Sequence, residues 1–420
     1  MKLPSILVTT VGGTCAPVVT AIRDYHPDYV IFIVSSGPRG SKIMVDGPGT
    51  PCKVYGDDPN KSNIVKQTGL PADAYEILEL TDPDSLNKGY SEIKSLLNNS
   101  MIKSRDWRKI ADYTGGTKTM TAALVLVAVE MGWELSLVKG ARTDLLQVID
   151  GTEIAGLVNT WEVRARQQAS LAESLFNSYA YTSASTILES LLQLSPLTLE
   201  AQKSIRFWVG LCRGFDAWDR FDHQRAAHLL RPFQSQIVPQ WIFLKQITGQ
   251  SQGSGYERVI DLLLNAERRA SRGRYDDSIA RNYRALELFA QIRLAHREPP
   301  LLTSNLEIDH LPEELHTIYR KRLQNDREGE IRIGLREAYE LLNQLNDPLG
   351  REFKNEQSKL LSVLEKRNQS ILAHGQIPID REAYLKINKS SQTFFERAFQ
   401  SLDISDTGIQ FPHLSFEIEP

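Results

Sequence analysis

The sequence predicts an α/β domain followed by all-α domains, and three observations carry that expectation. Over roughly the first 160 residues, short apolar strand patterns alternate with helical ones. After Trp161 the strand patterns fade and amphipathic helical periods take over. Two glycine-rich loops, one near the start and one after Asp112, each end a strand pattern and open a helix.

The strand patterns are Ser5–Thr9, Tyr29–Val34, Tyr75–Leu80, Lys109–Tyr113 and Glu134–Val138, separated for the most part by helical stretches near Val18–Tyr25, Asp84–Leu97 and Thr117–Met131. This order predicts a doubly wound, mainly parallel sheet. Asp150-Gly151 between Leu145–Ile149 and Ile154–Val158 is a two-residue hairpin signal, which predicts an antiparallel margin there. Beyond Trp161, helical patterns at Ala172–Ser178, Ala184–Leu194, Leu199–Phe215 and His223–Leu230 lead to a Gly/Ser/Gln turn at residues 250–255. Helices resume to about Ser401, among them a hairpin over Ala266–Leu288 and a long helix from Asp347 to His374 that Gly375 would cap. The expected domains are therefore 1–160, 161–254 and 255–420. A tetratricopeptide array competes for the hairpin, but no second copy follows at the required period.

Composition narrows the function. With 49 basic and 52 acidic residues the formal net charge is −3, so a nucleic-acid grip spread over the whole chain is not expected and any such site must be local. Cys15, Cys52 and Cys212 are far apart with no Cys-x-x-Cys pair, which argues against disulfides and structural zinc and for a reducing compartment. His223 and His228 lack a metal-ligand spacing. The first residues are not a signal peptide, and no apolar run reaches the roughly twenty residues of a membrane span. A cytoplasmic protein with no membrane partner is expected.

The stretch Asp112-Tyr113-Thr114-Gly115-Gly116-Thr117-Lys118-Thr119-Met120-Thr121 is built to hold a phosphate: glycines permit close backbone approach, the helix start offers free N–H groups, and Lys118 adds a full charge. Its spacing fits neither a Walker loop nor Gly-x-Gly-x-x-Gly. Thr9-Thr10-Val11-Gly12-Gly13-Thr14-Cys15-Ala16-Pro17 repeats the style and puts Pro17 where a helix begins. Two such loops suggest one anionic ligand, with Thr10, Gly12, Gly13, Thr14, Thr114, Gly115, Gly116, Thr117 and Lys118 as candidate contacts. The plainer alternative is a tight strand-to-helix turn with Thr117 as N-cap and Lys118 in solvent.

Together, Val11-Gly12-Gly13-Thr14 and Asp112 to Met120 resemble the CARF domain of type III CRISPR accessory proteins, sensors of cyclic oligoadenylates. Glu365-Lys366-Arg367-Asn368-Gln369-Ser370-Ile371-Leu372-Ala373-His374-Gly375 resembles the Arg-x(4–6)-His signature of HEPN ribonucleases. The run from Asn265 through Gly273-Arg274-Tyr275-Asp276-Asp277 to Leu288 is similar to the opening helices of HEPN modules in the same branch. The resemblance implies a Rossmann-like CARF sensor, a helical linker domain and a C-terminal helical HEPN domain, with a cyclic oligoadenylate as allosteric activator, no other cofactor and no metal.

Arg367 and His374 are seven residues apart, so a helix returns them to nearly one face about 10 Å apart along its axis. One pair is too far apart to grip one phosphodiester, and the HEPN resemblance implies that a homodimer converges two pairs on it. His374 at a helix C-terminus favours its protonated form and suits proton transfer, Arg367 stabilises charge on the phosphoryl oxygens, and Asn368 orients the phosphate or holds the helix pair. The implied activity is cleavage of single-stranded RNA to 2′,3′-cyclic phosphate and 5′-hydroxyl ends. Two competitors remain open: a non-catalytic nucleotide-sensing regulator that binds nucleic acid or protein, and a helical interaction scaffold. Arg320, Lys321, Arg322 and Arg327 are either a solvated helix or a guide for RNA.

Overall fold

The computed structural model describes residues 3–37, 40–54, 59–98, 106–139, 142–143, 147–148, 154–158, 161–193, 197–325, 330–369, 376–405 and 408–416. The chain forms two compact units, Met1–Gln167 and Gln168–Pro420.

In the first unit, β1 (Ser5–Thr10), β2 (Tyr29–Ser35), β3 (Tyr75–Leu80), β4 (Arg108–Asp112), β5 (Glu134–Lys139) and β8 (Ile154–Val158) make a six-stranded sheet of order β3-β2-β1-β4-β5-β8. The first five are parallel, and β8 runs antiparallel to β5. The antiparallel margin is therefore present, but the hairpin expected to form it is corrected. Ile154–Val158 pairs with Glu134–Lys139, while Gln147–Val148 (β7) pairs with Arg142–Thr143 (β6) in a separate ribbon. The Asp150-Gly151 turn lies outside the described residues.

Strand alternation sorts the core into two layers. Ile6, Val8, Ile31 and Ile33 point to α4 (Leu86–Leu97) and α5 (Lys118–Met131), whose Ile93, Met120, Leu124 and Val127 cover them. Leu7, Val30, Phe32 and Val34 face α1 (Ala16–Tyr25) and the short helices α2 (Lys42–Asp46) and α3 (Ile64–Thr68). The helix after β1 thus covers one face and the helix after β4 the other, and the crevice where topology reverses opens at the carboxyl ends of these two adjacent strands. The expectation of unpaired cysteines is also corrected. Cys15, at the start of α1, is disulfide-bonded to Cys52, with Cα atoms 5.5 Å apart. Thirty-seven residues separate them in sequence, and the packing of α1 against the long loop after β2 brings them together. Cys212 is free, and burial pushes its thiol up to about 12.

The second unit is helical. It contains α7 (Tyr181–Leu192), α8 (Leu199–Asp219), α9 (His223–Leu230), α10 (Val238–Ile247), α11 (Glu257–Ser271), α12 (Tyr275–Ala295), α13 (Glu313–Asn325), α14 (Leu335–Gln344), α15 (Pro348–Gln369) and α16 (Arg381–Ser401), after α6 (Trp161–Asn177). The expected hairpin over Ala266–Leu288 is the α11–α12 pair, which turns at Gly273 with φ +70°. The tail after α16 is extended, and aromatic side chains anchor it. Phe411 is buried against Phe215 and Trp218, and Phe416 stacks on Trp208 at 3.9 Å. Among the described residues no helix is long and apolar enough to cross a membrane.

Candidate functional site

The two glycine-rich loops lie side by side, because β1 and β4 are hydrogen-bonded neighbours in register from Ser5↔Arg108 to Thr9↔Asp112. Their contact explains three of the four glycines. A Cβ on Gly12 would lie 2.8 Å from the Gly116 nitrogen, and one on Gly115 would lie 2.5 Å from the Thr10 carbonyl oxygen. Gly116 has φ +89°, and its Cβ would press on the Thr10 side chain at 3.0 Å. The buried Thr10 hydroxyl donates to the Gly115 carbonyl. Gly13 differs: it is exposed, and a Cβ there would meet open space.

The remaining loop residues divide in the same way. Thr114 is held inward, its hydroxyl accepting from the Val138 N–H at 2.8 Å and donating to Asp112 at 3.2 Å. Thr117 is the N-cap of α5, accepting from the Met120 N–H at 3.2 Å and donating to the Pro83 carbonyl. Thr14 is half-buried just before α1, where Pro17 takes a first-turn position as expected. Lys118 is exposed at the first turn of α5 and makes no ion pair among the described residues. A ligand over this crevice would therefore meet Gly13, Lys118 and the amides of two helix starts.

Beneath the loops is a polar cluster that sequence reasoning did not single out. Asp112, fully buried, accepts from Ser136 Oγ at 2.8 Å and from the Thr114 N–H at 3.2 Å, and Ser136 Oγ in turn accepts from Tyr25 at 3.1 Å. Burial pushes the Asp112 carboxyl above the ordinary carboxylate range, against those hydrogen bonds. Its signal was an acid placed directly after the apolar pair Ile110-Ala111 at the end of β4.

In the helical unit, Arg367 and Asn368 fall in the last turn of α15, while His374 lies outside the described residues, as does the Gly375 cap. The residues that resemble HEPN opening helices hold the unit together. Asp219 of α8 takes Arg268 Nε at 2.9 Å, Asn265 Nδ2 at 2.9 Å and Arg269, all from α11. Arg268 also donates to Gln410 at 2.7 Å and lies 3.7 Å from the Phe411 ring centre. The Asp276 carboxylate accepts from the Ile379 N–H at 3.0 Å.

Comparison with known proteins agrees with this architecture. Residues 165–248 match the family model described as the Csm6 6H domain, and residues 249–398 match the Csm6 HEPN domain. Csm6 of Enterococcus italicus, solved with cyclic hexa-2′-fluoro-hexa-dAMP, superposes with TM-score 0.59 at 14% identity over 96% of each chain. Can2 of Sulfobacillus thermosulfidooxidans, solved with cyclic tetra-adenylate, aligns over 56% of this chain and 69% of its own at 12% identity, with TM-score 0.22, and adds nothing to the assignment. A search of curated proteins gave no match.

A Rossmann-like sheet joined on one chain to a HEPN helical module defines the CARF–HEPN class of nucleases. The two adjoining domain matches together take in residues 165–398, and the chain belongs to the Csm6 family of type III CRISPR systems.

Proposed function

We propose that the chain is a cyclic-oligoadenylate-activated, metal-independent endoribonuclease that cuts single-stranded RNA in antiviral defence. The observation that carries this reading is the pairing of the two glycine loops at the switch point of the sheet with a Csm6 HEPN domain on the same chain. The ring phosphates lie over the crevice between β1 and β4, near Gly13, Lys118 and the first amides of α1 and α5. The organisation is a sensor over 1–160, a linker over 161–254 and a nuclease over 255–420, acting as a cytoplasmic homodimer.

In the nuclease the ribose 2′-hydroxyl attacks its adjacent phosphorus and expels the 5′-oxygen of the next nucleotide. One His374 takes the hydroxyl proton and its two-fold mate protonates the leaving oxygen. Arg367 stabilises the charge on the non-bridging oxygens and Asn368 orients the phosphate. The products are a 2′,3′-cyclic phosphate and a 5′-hydroxyl. Activation requires the ring to prefer the sensor arrangement that accompanies productive pairing of the two nuclease sites, since only differential affinity shifts such a balance. The test is cleavage of an end-labelled RNA with and without each cyclic oligoadenylate, in the presence of a chelator. Cleavage that is ring-dependent and chelator-resistant supports the reading, and ring binding without turnover replaces it by a non-catalytic regulator.

A further inference from the structure

The helical unit contains a cavity of about 580 Å³ that none of the candidate site residues lines. Its walls come from the end of α8 and the helices α9 to α12, and its size falls in the range of small-molecule sites. Arg258, Arg281 and Arg284 line it together with His223, and Asp222 is the one carboxylate among the lining residues. The Asp222 carboxylate is already engaged as the N-cap of α9, accepting from the Arg225 N–H. Arg281 is tied to Asp277 at 3.0 Å and Arg284 to Glu287 at 2.7 Å, whereas Arg258 is exposed and makes no ion pair among the described residues. Guanidinium groups so placed offer planar, multiple donors suited to phosphate.

The second observation concerns Phe221. It follows the α8 cap in the left-handed region, φ +63°, with its N–H bonded to the Trp218 carbonyl at 2.8 Å. That position favours glycine, and a bulky aromatic there is an outlier whose backbone cost is offset elsewhere. Its ring lines the cavity beside His223, at 6.1 Å between ring centres. His223 is itself fixed, because Nε2 meets the buried Asp261 carboxylate at 2.8 Å and Asp261 also accepts from Trp218 Nε1 at 3.1 Å. Leu262 and Leu288 complete an apolar wall. A flat ring that shares the cavity lining with three arginines is a complement to a base linked to a phosphate.

We infer that this cavity binds a phosphorylated nucleoside, its base against Phe221 and its phosphate among Arg258, Arg281 and Arg284. The inference does not rest on the sensor or nuclease assignments, and its test reads no RNA cleavage. Calorimetry on the full chain would use 5′-AMP, 5′-UMP, adenosine and inorganic phosphate as probes. At least one nucleotide is expected to bind more tightly than adenosine or phosphate alone. The Arg258→Ala/Arg284→Ala double variant should weaken that binding by about tenfold or more, since two charge-assisted contacts are lost. Phe221→Gly relaxes the backbone, so it should keep or raise Tm while weakening the nucleotide. Lys118→Ala, in the sensor, should leave this binding unchanged. The inference is overturned if neither nucleotide binds, if phosphate alone binds equally well, if the cavity variants bind as the parent does, or if Lys118→Ala alone abolishes binding.

Discussion

The Thr10 hydroxyl donates a hydrogen bond to the Gly115 carbonyl, across 105 residues of sequence. This bond joins the loop after β1 to the loop after β4, and the close approach of Gly12 to the Gly116 nitrogen makes the two turns one packed element. A ligand over one loop is therefore registered to the other.

Thr10→Val keeps the shape of the side chain but leaves the Gly115 carbonyl without that donor. An unfolding free energy lower by about 1–3 kcal/mol is expected, with Thr10→Ser close to the parent. Urea denaturation checks this, and equal stability of Thr10→Val and the parent would remove the bond from the account of the loop.

Lys118→Ala isolates ligand binding better than any change at Gly116. At Gly116 a side chain would strain the positive φ and press on Thr10 even with no ligand present. Lys118 is exposed, so its loss should leave Tm unchanged while weakening cyclic-oligoadenylate binding about tenfold to a hundredfold, the range expected for one charge-assisted contact. RNA cleavage should fall at limiting activator and recover when activator is raised. Unchanged affinity by calorimetry would make this loop a structural turn.

Asp112 predicts a pH dependence. Burial raises its pKa above the ordinary 3.8, so folding favours the protonated acid. Its contribution to stability is fully present below the unfolded-state value and is lost as pH rises through the raised native value. The stability of the parent minus that of Asp112→Asn should accordingly fall as pH is raised from about 3.8 toward neutrality. Denaturation curves at a series of pH values give the sign directly, and a difference that grows with pH would contradict the burial argument.

On the proposed mechanism, replacing Arg367 or His374 with Ala should each abolish RNA cleavage with little loss of helix content or ring affinity, because each would remove transition-state stabilisation. Circular dichroism, calorimetry and single-turnover cleavage separate these effects. Near-normal turnover in either variant, or an absolute need for a divalent metal, would move the active centre elsewhere.

Asp219→Ala should destabilise the helical unit by about 3–5 kcal/mol, since it leaves the buried Arg268 and its neighbour Arg269 without their shared carboxylate. Loss of the unit's cooperative unfolding in urea would agree with this, while a change below about 1 kcal/mol would show that Gln410 and the Asp261 carboxylate, 3.8 Å from Arg268 Nη2, suffice.

Local chemistry made much of the protein legible in its sequence. The short apolar runs of Ser5–Thr10 and Tyr75–Leu80 and the helical period of Met120, Leu124 and Val127 are written within a few residues. So are the Thr117 cap and the Pro17 start. These patterns led to the doubly wound sheet and the α11–α12 hairpin, while the two glycine loops and the Arg367-to-His374 motif carried the resemblance to the family. Tertiary structure decided what depends on distant partners: the pairing of Ile154–Val158 with β5, the Cys15–Cys52 bond, the docking of the tail through Phe411 and Phe416, and the Asp219–Arg268 pair. It also decided which loop groups face outward. Gly12, Gly115, Gly116 and Thr114 are taken up by neighbouring chain, while Gly13 and Lys118 remain open. Glycine in a sequence says that space is needed, but only packing decides whether backbone or ligand fills it.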